Sequence, residues 1–115
     1  MSDQYTLIKT VVFAGVTDVR FYPQVLDHIR EEHPDVPILL PSLLEALSRT
    51  IANPTHVEIS ASNASSFVFV DSETTNWSGN AFRIPIRMVE GTSGRITTAF
   101  FADTIGTRNI VWRRP

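Results

Sequence analysis

The chain has 115 residues, 43% of them hydrophobic, which is enough apolar side chain for one compact domain, expected over residues 1–115, that folds without a metal or disulfide staple. The absence of cysteine excludes disulfide frameworks, thiolate zinc sites and cysteine nucleophiles. The formal charge of −2 hides an asymmetry: residues 1–81 carry four basic against ten acidic side chains, and residues 82–115 carry six against two. One acidic and one basic region follow, and a basic region attracts phosphates through its long-range field. Nine of the ten basic residues are arginine, whose planar fork grips phosphate oxygens in pairs. No stretch approaches the ~18 consecutive apolar residues of a membrane span, so a soluble, cytoplasmic protein with no membrane partner is expected.

Residues 7–13, LIKTVVF, are β-branched and aromatic and predict a first strand, closed by turn chemistry at Gly15, Thr17 and Asp18. Pro23 suits a first helical position, and Tyr22, Leu26, Ile29 and His33 recur at helical spacing, so a helix is expected from Tyr22 to His33. Pro34 and Pro37 stop it. Behind Pro41, the stretch SLLEALSRTIAN places Leu43, Leu44, Leu47 and Ile51 on one helical face, and Asn53-Pro54 ends this second helix.

The period then changes from helical to alternating. HVEISAS, SSFVFVD, NAFRIPIRMVE, RITTAFFAD and NIVWRR each read as strands, separated by turns at SETTNWSGN and EGTSGR. Pro85 removes a ladder donor, so its strand is expected at an edge or bulged. The order predicts an α+β fold in which two N-terminal helices pack on a mostly antiparallel, meandering β-sheet of four to five strands.

His28 and His33 lie five positions apart, which turns a helix by about 140°, so they do not stack as an i, i+4 metal pair would. With no cysteine available, neither a metal nor another cofactor is expected. Arg83 and Arg87 alternate with Phe82, Ile84, Ile86 and Met88 and therefore share one face of their strand. In RITTAFF, Thr98 is expected on the face of Ile96 and Phe100, with Arg95, Thr97 and Ala99 on the other. A histidine to carry a proton, arginines to hold a phosphate and a hydroxyl to orient the reacting groups are the parts that cleave RNA without a metal. In that scheme the 2′-OH attacks phosphorus and the 5′-oxygen leaves.

HIREEHPDVP followed by PSLLEALSRTIANPTHVEIS, then FRIPIRMVE and GRITTAFF, resembles the phage- and toxin-associated nucleases of the barnase, EndoU, colicin and RelE-like superfamily, over roughly residues 10–102. The resemblance implies a metal-independent ribonuclease on helices followed by a four-stranded antiparallel sheet. It also implies His28 as the leading general acid or base and His33 as a second. Thr98 matches the threonine of the last motif strand, and Arg30 joins His33 and Thr98 in orienting the reacting groups. Arg83, Arg87 and Arg95 are left to bind substrate. Glu32 stands where a basic residue commonly precedes the His-Pro pair. RNA is the partner this reading demands, and a protein inhibitor or homo-oligomer is the further partner it accommodates.

A competing, non-enzymatic reading is a small phage structural or interaction module that assembles through its sheet edges and through Trp77, an aromatic in a polar turn. A ribosome-dependent toxin is a third, and the net charge of −2 argues against it.

Overall fold

In the computed structural model, residues 4–12, 17–60, 65–90, 93–103 and 109–115 are described. Strands β1 (Thr6–Thr10) and β2 (Thr17–Phe21) precede helices α1 (Pro23–Glu32), α2 (Asp35–Leu39) and α3 (Leu43–Ala52). Six strands follow: β3 (His56–Ile59), β4 (Ser66–Thr75), β5 (Ala81–Glu90), β6 (Ser93–Ile96), β7 (Phe100–Ala102) and β8 (Ile110–Arg113). The sheet runs β1-β2-β6-β5-β4-β3-β8, with β7 paired to β5 beyond the end of β6.

This corrects the expected two helices on a sheet of four to five strands: among the described residues, three helices accompany an eight-stranded mixed sheet. The additional strand near the amino end is β2, whose polar Thr17 and Asp18 read as a turn. Pairing imposes the strand, because β2 lies antiparallel to β1 on one side and parallel to β6 on the other. The additional helix, α2, is a single turn that starts at Pro34 and accepts Pro37 within its first turn, where a missing N–H costs no helical bond.

Helix α1 begins where sequence chemistry places it. Tyr22 is extended at the N-cap, Pro23 opens the first turn, and the chain leaves the helix at His33, whose N–H donates to the Ile29 carbonyl at 2.8 Å. In α3, Leu43, Ala46, Leu47, Thr50 and Ile51 form the buried face, whereas Leu44, assigned by spacing to that face, is exposed. One apolar core joins Ile29, Val36, Leu47 and Ile51 of the helices to Val19, Val57, Phe69, Phe82, Ile84, Ile86 and Ile96 of the sheet. The other sheet face carries the basic side chains of the strands, together with Leu7, Val70 and Phe100, since strand residues alternate.

Pro85 sits in an interior strand, not at an edge. Its carbonyl accepts the Thr97 N–H at 3.0 Å, so its donor-free nitrogen faces the gap between β6 and β7. The irregularity expected of β5 therefore lies in the facing strand, at residues 97–99. That break shifts the alternation and puts Ala99 in the core, contrary to its assignment beside Arg95.

Candidate functional site

The outer sheet face carries two rows of functional side chains, each running across consecutive strands. The first is Leu7, Arg20, Arg95, Arg87 and Ser66, which are successive cross-strand partners on β1, β2, β6, β5 and β4. Three arginines thus stand side by side. Directly opposed like charges destabilise a sheet, so the Arg87–Arg95 pair opposes folding unless an anion neutralises it. Arg87 and Arg95 are exposed and form no ion pair among the described residues. The Arg20 guanidinium lies 4.9 Å above the Tyr5 ring, which packs on Tyr22 with 5.4 Å between ring centroids.

The second row is Phe100, Arg83, Val70, His56 and Arg113, on β7, β5, β4, β3 and β8. Here the charges are organised by a carboxylate. Arg83 donates through Nη2 to Oε1 of Glu58 at 2.6 Å, and His56 Nε2 lies 2.9 Å from Oε2 of the same carboxylate. All three side chains are largely buried, at 10% exposure for Arg83, 6% for Glu58 and 14% for His56. Val70, the neighbour that Arg83 and His56 share, is fully buried although it lies outside the main core. The second terminal nitrogen of Arg83, Nη1, is buried and has no hydrogen-bond partner among the described residues. A guanidinium with an unfilled donor beside a carboxylate-held imidazole is a charged cluster whose hydrogen-bonding capacity is not fully used.

The residues expected from sequence do not gather at one place. His28 and His33 do come together, with ring centroids 6.1 Å apart in an edge-to-face arrangement, because His33 has left the helix and its ring swings back. The His33 ring also packs on Phe100 at 5.4 Å. Arg30 faces the other side of α1, in an apolar groove of about 570 Å³ with Phe21, Leu26, Leu43 and Glu45. The Thr98 hydroxyl is buried and unpartnered. Arg87 and Arg83, the β5 partners of Arg95 and Phe100, are four residues apart, or about 13 Å along the strand, which separates the histidine pair from the Arg87–Arg95 pair.

His56 and Glu58 carry the clearest side-chain chemistry, and the reading of HVEISAS as a strand assigns them no role in the reaction. Their alternation was visible, but their meeting with Arg83 depends on register across β3, β4 and β5. Among the described residues, no three of His, Asp or Glu form a metal-binding group. Nor is any described helix long and apolar enough to cross a membrane.

Acidic residues concentrate on the helices, with Asp27, Glu31, Glu32, Asp35 and Glu45 set against Arg30 and Arg49. The outer sheet face holds Lys9, Arg20, Arg83, Arg87, Arg95 and Arg113 against Asp18 and Glu58, with Lys9 and Asp18 paired at 3.3 Å. The molecule is therefore electrically polarised between its two layers. No protein-family model, curated protein or solved structure matches the chain.

Proposed function

We propose that the outer sheet face binds the phosphate backbone of RNA. The observation that carries this reading is the register-matched row Arg20, Arg95 and Arg87, in which the exposed Arg95 and Arg87 stand directly opposed and can supply paired N–H donors to successive phosphates. The acidic helical layer supports it as well, because a polyanion is repelled from that side and steered to the sheet.

The His56–Glu58–Arg83 cluster favours a second reading, in which bound RNA is cleaved without a metal. Glu58 holds the imidazole, His56 accepts the proton of the 2′-OH, and the 2′-oxygen attacks phosphorus. The Arg83 guanidinium stabilises the phosphoryl oxygens through its charge as theirs grows, and the 5′-oxygen leaves with the returned proton. This moves the proton-carrying role from His28 to His56 while keeping arginine as the phosphate-holding group.

The experiment measures binding and cleavage separately. A fluorescent mixed-sequence RNA is titrated with the protein at several salt concentrations, and the same RNA is incubated in excess EDTA with wild type, His28→Ala and His56→Ala. Binding that weakens steeply with salt, and at least tenfold in Arg87→Ala, supports the interface; salt-independent binding sinks it. Products ending in 2′,3′-cyclic phosphate, lost in His56→Ala and retained in His28→Ala, support the chemistry. Loss in His28→Ala alone returns the role to α1.

A further inference from the structure

At one end of the arginine row the surface folds into a cleft with two compartments. The smaller, about 120 Å³, is lined by Arg20, Tyr22, Ser93 and Arg95 among others. The larger, about 430 Å³, lies between the first turn of α1 and β6 and is lined by Tyr22, Gln24, Val25, Arg95, Ile96 and Thr97. Tyr22 and Arg95 belong to both, so they form the wall between the compartments.

The two halves differ in chemistry. The smaller brings two guanidinium-bearing residues that are cross-strand partners together with a serine, a donor set suited to one phosphate group. The larger combines the aromatic ring of Tyr22 with the aliphatic Val25 and Ile96, and adds the Gln24 amide and the Thr97 hydroxyl at its margin. A flat heterocycle stacks on such a ring, and a carboxamide that both donates and accepts can read its edge. Tyr22 is itself braced by Tyr5 at 5.4 Å, which in turn lies under Arg20. The stacking wall is thus tied to the phosphate-binding compartment by an aromatic and a cation–π contact.

We propose that this cleft is a nucleotide subsite, which seats one unpaired base of an RNA strand against Tyr22 and Gln24 and its attached phosphate between Arg20 and Arg95. The inference rests on the assignment of the sheet face to RNA for the source of the nucleotide, and on the cleft alone for its chemistry. It gives the interface a single-strand preference, because a base held in a duplex cannot enter the larger compartment.

The test follows backbone amide NMR signals of the intact protein during titration with adenosine 5′-monophosphate, uridine 5′-monophosphate, adenosine, inorganic phosphate and a short phosphodiester-linked trinucleotide. Saturable shifts confined to residues 20–25 and 93–97 are expected with the mononucleotides. Adenosine and phosphate should each bind at least tenfold more weakly, and the trinucleotide more tightly. Arg95→Ala should weaken mononucleotide binding at least tenfold, with partial recovery in Arg95→Lys, and Gln24→Ala should abolish any difference between the two bases. Shifts elsewhere, phosphate binding as tight as nucleotide binding, or a trinucleotide that binds no tighter than the mononucleotide each overturn the subsite. RNA binding by a protein whose cleft ignores nucleotides removes the subsite alone. Nucleotide binding in the cleft without RNA binding removes the wider interface alone.

Discussion

Arg95 stands directly opposite Arg87 across the antiparallel β5–β6 ladder, and neither side chain has an ionic partner among the described residues. Arg20 continues the row on the parallel side of β6. Opposed like charges in a ladder cost about 0.2–1 kcal/mol, and threonine is a better strand residue than arginine at an open face. Arg95→Thr is therefore expected to raise the urea midpoint, by about 0.5 kcal/mol of stability, while weakening RNA binding. A fall in stability would show that the row holds the sheet together in some other way.

The same row fixes a salt signature. Each phosphate neutralised on a single strand contributes a slope of about 0.7 in the logarithm of affinity against the logarithm of salt concentration. Arg87→Ala should lower the measured slope by about that amount, uniformly across RNA sequences, in fluorescence anisotropy titrations. An unchanged slope with unchanged affinity would remove Arg87 from the interface.

The helical half of the fold was largely legible because Pro23, the spacing of Leu26 and Ile29, and the Asn53-Pro54 stop are local signals. Strand β2 was not, since Thr17 and Asp18 match turn chemistry and become strand only when β1 and β6 flank them. Turn α2 was hidden between Pro34 and Pro37 for a similar reason: proline marks a stop, yet it also opens a helix. At the site, the shared face of Arg83 and Arg87 followed from alternation. The partnership of Arg83 with Glu58, twenty-five residues earlier, required the register of three strands.

Glu58 meets both Arg83 and His56 with one carboxylate, and its side chain is 6% exposed. Removing one member of a buried ion pair leaves the other charge uncompensated, at a cost of about 3–5 kcal/mol. Glu58→Ala should lose stability of that order by chemical denaturation. The double variant Glu58→Leu, Arg83→Leu should recover much of it, because replacing a whole buried pair with apolar side chains is close to neutral. Cleavage should be absent from both. A stable but inactive double variant separates the chemical role of the pair from its structural one, and full activity in it would remove Glu58 and Arg83 from the chemistry.

Thr98 offers a contrasting test, because its hydroxyl is buried without a partner in the break between β6 and β7. An unsatisfied hydroxyl costs about 1–3 kcal/mol on burial, and valine keeps its shape without that cost. Thr98→Val should stabilise the protein by about 1 kcal/mol and leave RNA cleavage unchanged. Loss of cleavage with retained stability would restore the hydroxyl to the reacting groups, as the nuclease resemblance implies.

Gly94 lies beside Arg95 in the strand that carries the arginine row, and it allows β6 to approach its neighbours closely. A Cβ built there would stand 2.9 Å from Cγ2 of Ile86 and 3.2 Å from Sδ of Met88. Ile86 is 1% exposed and cannot retreat without disturbing Ile84 and Phe82 along the same core face. Gly94→Ala should therefore cost about 1–3 kcal/mol, the usual range for overpacking a core, read as a lower urea midpoint with an unchanged slope. Because β6 places Arg95 between Arg20 and Arg87, the same variant should weaken RNA binding without removing any charge. Reduced stability with unaltered affinity would show that the spacing of the row tolerates a shift of β6, and that charge alone governs the interface.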